Sequence, residues 1–180
     1  PGSTADDDRP VVTVSSVTVS EGRDAVFTVD LKTPSTSDQV MSLSLGNTAA
    51  TTDQNATLGS DLSNQLQVSF DNGVTWTAVI NGQVTVPANT TTYYVSVATT
   101  ADEPGKVYEG PETFTLTAGI DGSTVATQSA TGIGTITDDG SPVIAPPVPG
   151  PTPIPPGSTA DDDRPVVTVS SVTVSEGRDA

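Results

Sequence analysis

Cysteine and histidine are both absent from these 180 residues. Without cysteine there is no disulfide, no thiol nucleophile and no thiolate metal site. Without histidine, every catalytic arrangement that runs through an imidazole is excluded. Basic residues number 6 against 22 acidic ones, for a formal net charge of −16. A surface of that sign repels nucleic acid and anionic membranes and attracts cations. Aromatics make up 4% of the chain, so its core is expected to be mainly aliphatic. No apolar run approaches the ~18 residues of a membrane span. No signal-peptide pattern follows Pro1, and the chain reads as a fragment of a longer protein.

What the chain does have is an exact internal repeat. Residues 1–25 and 156–180 are identical letter for letter, PGSTADDDRPVVTVSSVTVSEGRDA, at an offset of 155 residues. That pattern implies a unit of about 155 residues followed by the start of its successor. Three segments follow: a module over 1–140, a proline-rich linker over 141–157, and the start of the next identical repeat over 158–180. Eight of the fifteen residues from 142 to 156 are proline. Proline cannot donate to a sheet, so the linker is expected to be an extended, semi-rigid spacer of roughly 45 Å at ~3.1 Å per residue. Residues 158–180 hold only a first strand and the beginning of a second, too little to bury an apolar face.

Thr, Val and Ser dominate the module in period-2 alternation, with no sustained helical period. Strands are expected at 10–19, 25–32, 39–46, 65–70, 74–80, 83–87, 91–99, 112–118 and 124–137, the last broken at 129–132. Asp71-Asn72-Gly73, Asn81-Gly82 and Asp121-Gly122 supply turns. This spacing predicts an all-β, two-sheet antiparallel sandwich. In the first strand, Val12 and Val14 have one parity and Val17 and Val19 the other, which predicts a kink at Ser15-Ser16 and a change of sheet. The expected core is Phe27, Val29, Leu31, Met41, Leu43, Leu45, Leu66, Val68, Phe70, Trp76, Tyr93, Val95, Val97, Phe114, Leu116 and Ile136.

Alternating strand directions gathers four connections at one pole. They bring Glu21 and Asp24, Asp53 and Asp61, Asp102, Glu103, Glu109 and Glu112, and Asp138 and Asp139. Glu21, Glu112 and Asp138 continue the inward-facing rows of their strands, so they are expected to converge beneath the core. Converging carboxylates repel unless a cation neutralises them. Ca²⁺, which takes six to eight oxygen ligands, suits such a set better than Mg²⁺. The alternative is a solvated acidic rim. No EF-hand loop is present, because Leu58 stands where that motif needs glycine.

The segments SEGRDAVFTVDL (20–31), ATLGSDLS (56–63), ADEPGKVYEGPETFTLTAG (101–119) and GIGTITDDG (132–140) resemble the Calx-beta motif, and DNGVTWTAVINGQVTVPANTTTYYVSV (71–97) is similar to bacterial adhesin repeats. They resemble more closely the Calx-beta-like, immunoglobulin-like repeats of giant bacterial RTX adhesins exported by type I secretion. The resemblance covers about 15–140. It implies a two-sheet sandwich that holds Ca²⁺ at one pole through Glu21, Asp61, Asp102, Glu109, Glu112, Asp138 and Asp139. Leu62 departs from the usual Tyr, Gly140 stands in place of a third Asp, and Lys106 adds a cation to an acidic loop. Asp6-Asp7-Asp8 is a further candidate for an ion. The implied role is an extracellular, cell-surface extender module, with neighbouring identical repeats as its partners and no nucleic-acid or direct membrane contact. The alternative is a repeat that itself binds a glycan, protein or surface, with Trp76, Tyr94 and Tyr108 as the few contact candidates. An enzyme is not expected. A Glu109/Glu112 acid–base pair is conceivable on paper, but no cleft-forming loop accompanies it.

Overall fold

The computed structural model describes residues 10–48, 55–101, 108, 110–140, 145–154, 158–160, 162 and 164–177. Ten strands are described: β1 (Val12–Val14), β2 (Val17–Ser20), β3 (Asp24–Leu31), β4 (Gln39–Gly46), β5 (Leu62–Ser69), β6 (Thr77–Ala78), β7 (Gln83–Val86), β8 (Thr92–Thr99), β9 (Glu112–Ile120) and β10 (Ser129–Thr137). They form two five-stranded sheets, ordered β1-β3-β8-β5-β6 and β2-β10-β9-β4-β7. The result is the two-sheet β-sandwich that the alternation predicts, antiparallel except where β2 runs parallel to β10. No described helix is long and apolar enough to cross a membrane.

The parity break at Ser15-Ser16 is a change of sheet. β1 pairs antiparallel with β3, while β2 pairs parallel with β10. Ser15 fastens the crossing to β3: its amide donates to the Thr28 carbonyl at 2.9 Å, and its hydroxyl accepts from the Thr28 amide at 2.8 Å. The Ser16 hydroxyl accepts from the Ile133 amide at 3.1 Å on the other sheet. The chain passes so close to β10 that a Cβ at Gly132 would lie 2.0 Å from the Ser15 carbonyl oxygen. Only glycine fits there without moving backbone.

The core lies between the sheets. Phe27 on β3 meets Phe114 on β9 edge-to-face, with centroids 5.8 Å apart at 75°, the arrangement favoured by the ring quadrupoles. Val29, Leu31, Met41, Leu43, Leu66, Val68, Tyr93, Val95, Val97, Leu116 and Ile136 are buried as expected, and Leu45 packs against them. Burial raises the Tyr93 hydroxyl above its usual pKa. Val12, Val19, Ala25, Ala56, Leu62, Val79, Val86 and Ala118 complete the cluster.

Several expectations need correcting. Phe70 is 38% exposed because β5 ends at Ser69, although its ring still leans on Tyr93 at 5.7 Å. Trp76 is only half-buried. The expected strand at 74–80 shrinks to Thr77–Ala78. Its first part is a turn in which Asp71 accepts from the Thr75 amide at 2.8 Å and from the Thr75 hydroxyl at 2.6 Å. The expected strand at 124–137 starts at Ser129, after a 3-10 turn over Ala126–Gln128. The Ser123 hydroxyl accepts the Val125 amide at 3.1 Å, and that local bond diverts the backbone from the ladder.

Beyond the sandwich, residues 145–154 are described within the expected linker. Val148 is buried at 8% exposure, and Thr152 is hydrogen-bonded to Asp24. Residues 164–177 carry no strand, and Val166, Val167, Val169, Val172 and Val174 are exposed.

Candidate metal site

Strand directions put the expected connections at one pole. β3 and β8 are antiparallel with Asp24 opposite Ala98, and Leu62 at the start of β5 faces Thr99 at the end of β8. In the other sheet, Ser20 lies opposite Thr137, and Glu112 lies opposite Ile136. The ends of β2, β4, β8 and β10 and the starts of β3, β5 and β9 therefore share one end of the sandwich.

Hydrogen bonds tie these connections together. The Arg23 amide donates to Thr99 Oγ1 at 3.0 Å, and the Thr99 amide returns a bond to the Arg23 carbonyl at 3.0 Å. The Thr100 amide donates to the Asp61 carbonyl at 2.9 Å, and the Ala56 amide to the Thr113 carbonyl at 2.9 Å. Asn55 Oδ1 accepts from the Thr48 amide at 2.9 Å. Loops that are remote in sequence are thus fixed around a common centre.

Among the described residues of this frame, Glu21 and Asp138 are the buried acids, at 9% and 2% exposure. Each directly follows a paired strand end, Ser20 and Thr137, on two parallel neighbours, and the Glu21 amide donates to the Thr137 carbonyl at 3.2 Å. Glu112, half-buried, starts the third strand of the same row. The three continue the inward-facing rows of β2, β9 and β10 by register. Burying carboxylates is costly unless they are neutralised or hydrogen-bonded. Hard carboxylate oxygens are the donor chemistry that Ca²⁺ takes, but the described acids alone do not make up a complete ligand set.

The other candidates divide. Asp61 is half-buried and organises its own turn, accepting from the Thr57 amide at 2.6 Å and the Ser60 hydroxyl at 2.6 Å. Asp139 is half-buried, and its backbone bridges antiparallel to Asp162. Asp102 and Glu109 lie outside the described residues, as do Asp53, Glu103, Lys106 and Asp6-Asp7-Asp8. Among the described residues no three acidic side chains stand at metal-binding spacing. Asp24, gathered to this pole by topology, bonds to Thr152 instead. Sequence reasoning missed that partner, because nothing in the proline segment marks a return to the sheet.

Burial raises the Asp24 pKa, against the lowering effect of the Thr152 amide and hydroxyl. Away from the pole, the Thr75 hydroxyl and amide and the Ser69 hydroxyl hold Asp71 down to about 2. The Ser42 hydroxyl, with Gln83, lowers Asp121.

No protein-family model matches the chain, and no characterised protein matches it by sequence. Solved structures do match. Domains 4 and 5 of the S-layer protein SbsC are 16% identical, over 72% of this chain and 54% of theirs, with a TM-score of 0.33. This chain therefore spans about half the length of that structure. A non-cellulosomal cohesin from the hyperthermophilic archaeon Archaeoglobus fulgidus is 16% identical over 72% and 91%, with a TM-score of 0.35. A human ASH / PapD-like domain is 8% identical over 76% and 91%, with a TM-score of 0.32. Superpositions this loose carry no argument about function.

Proposed function

We propose that this chain is a calcium-stabilised extender repeat of a large secreted bacterial surface adhesin of the RTX type. Its role is to hold a ligand-binding region away from the cell for surface attachment and biofilm growth. The observation that carries the reading is the placement of buried Glu21 and Asp138 at the ends of adjacent parallel strands, in a unit whose first 25 residues recur letter for letter.

On this reading, Glu21, Glu112 and Asp138 hold Ca²⁺ from the inner rows. Asp61, Asp102, Glu109 and Asp139 complete the set from the loops. The ion supplies positive charge where folding forces carboxylates together, so binding energy becomes folding energy. A chain of this kind gains its full stiffness only where calcium is plentiful, outside the cell. Repeats in series behave as nearly independent units joined by neighbour terms, which suits a spacer. Nucleic acid and membranes are not its partners on this reading, and no catalytic role is assigned.

Thermal melting with Ca²⁺ and then with chelator tests this. A clear rise in Tm with Ca²⁺, absent with Mg²⁺ at equal concentration, is expected. Equal melting in all three conditions removes calcium from the account.

A further inference from the structure

Residues 145–154 of the proline-rich segment lie against their own module. Asp139 and Asp162 form an antiparallel bridge, and such partners stand ~4.5–5.5 Å apart. Drawn out at ~3.1 Å per residue, the chain between them would span roughly 70 Å. Its contour is therefore folded into a loop whose ends meet at the acidic pole.

Three contacts among the described residues tie this stretch to the sandwich. Asp24 accepts from the Thr152 amide at 2.7 Å and from the Thr152 hydroxyl at 3.2 Å. Val148 lies against the 70–75 turn so closely that a Cβ on Gly73 would stand 2.5 Å from the Pro149 carbonyl oxygen and 3.1 Å from Val148. Arg23 Nη2 donates to Ser158 Oγ at 2.7 Å and to the Thr159 carbonyl at 3.2 Å. The sheet shows the cover too. Val26 and Ser96, paired neighbours on β3 and β8, are each 2% exposed although neither belongs to the core cluster. Val26, Pro146, Pro147, Pro153 and Ile154 line one cavity of about 820 Å³ between segment and sandwich.

Proline suits this seat. It has no N–H to leave unsatisfied against a sheet face, and its restricted backbone loses little freedom on docking. Ser158 and Asp162 are also, by the exact repeat, Ser3 and Asp7 of the following unit.

We propose that residues 145–154 are a releasable strap. Closed, the strap holds the leading segment of the following repeat against the acidic pole of the preceding one; open, it adds its contour length to the reach between repeats. The hydrogen bonds to Thr152 and Ser158 are exposed to competing water, which makes the closed state reversible. This inference rests on the strap geometry and not on calcium.

The test uses the full 180-residue chain, with amide hydrogen exchange and small-angle X-ray scattering in chelator and in Ca²⁺. The Thr152 amide is expected to exchange at least 10-fold more slowly than in an unstructured peptide. Asp24→Ala and Val148→Asp should each abolish that protection, lengthen the maximum dimension by tens of ångströms and leave the Phe27 and Val95 amides protected. Val148 lies outside the sandwich, so its variant decides the matter if Asp24→Ala disturbs β3. Unprotected Thr152 in the wild-type chain, or an unchanged maximum dimension in Val148→Asp, overturns the strap. Protection that persists without any calcium response leaves the strap standing and removes only the metal.

Discussion

Glu21 and Asp138 are the residues immediately beyond Ser20 and Thr137, the last paired positions of two parallel strands, and both are buried. Two carboxylates drawn under a core by their own strand register are at odds with folding unless a cation or strong donors meet them. Neutralising either one therefore has two opposite effects. Glu21→Gln or Asp138→Asn should leave Tm in chelator unchanged or a few degrees higher, because one charge fewer has to be desolvated on folding. Either variant should also lose most of the gain that Ca²⁺ gives the wild-type module. Differential scanning calorimetry of each variant with and without Ca²⁺ measures both effects. A variant that keeps the full calcium gain counts against its residue as a ligand.

The close approach of β9 to β10 predicts a steric penalty. A Cβ at Gly134 would lie 2.3 Å from the Phe114 ring, and Phe114 is fixed by its edge contact with Phe27. Gly134→Ala should cost about 1–3 kcal/mol, the usual range for overpacking. Urea denaturation measures it, and a cost under about 0.5 kcal/mol would show that the ring can yield.

The two phenylalanines that the sequence pattern treats alike should separate sharply. Phe114 is 1% exposed and Phe70 is 38% exposed. Phe114→Ala should cost about 3–5 kcal/mol, in line with cavity-forming core truncations, and Phe70→Ala clearly less. Comparable losses would mean that Phe70 is buried in solution.

Asp71 gives a pH signature. Its carboxyl is held down to about 2 by Thr75 and Ser69, below an unfolded value near 3.9. A depressed folded pKa contributes stability that is fully present above the unfolded value and is lost as pH falls through the folded one. Wild type should therefore exceed Asp71→Asn in stability at neutral pH, and the gap should close between roughly pH 4 and pH 2. A gap that stays constant to pH 2 would show that the carboxyl's charge plays no part in the turn.

Much of this architecture is legible in the residues. The parity switch between Val14 and Val17 locates the change of sheet, because period 2 leaves no other way to bury both pairs. Alternating directions bring Glu21, Glu112 and Asp138 to one end, because strands that follow one another along the chain reverse direction whichever sheet they join. Phe70 was illegible, since its inward parity holds only while the strand lasts, and Asp71 ends the strand by capping a turn. The extent of 124–137 was hidden in the same way, by a Ser123 hydroxyl that competes with the ladder. Val26, of outward parity, reads as a surface position, and the Thr152 contact of Asp24 is equally invisible. Both depend on a proline segment whose composition specifies its local conformation but not where it docks.

The central claim is that the acidic pole binds calcium, and calorimetric titration of the full chain with Ca²⁺ tests it most directly. The account predicts saturable binding of at least one ion per module, sharply weakened in Asp138→Asn. A titration with no binding heat at any temperature tried, together with an unchanged Tm, would contradict it.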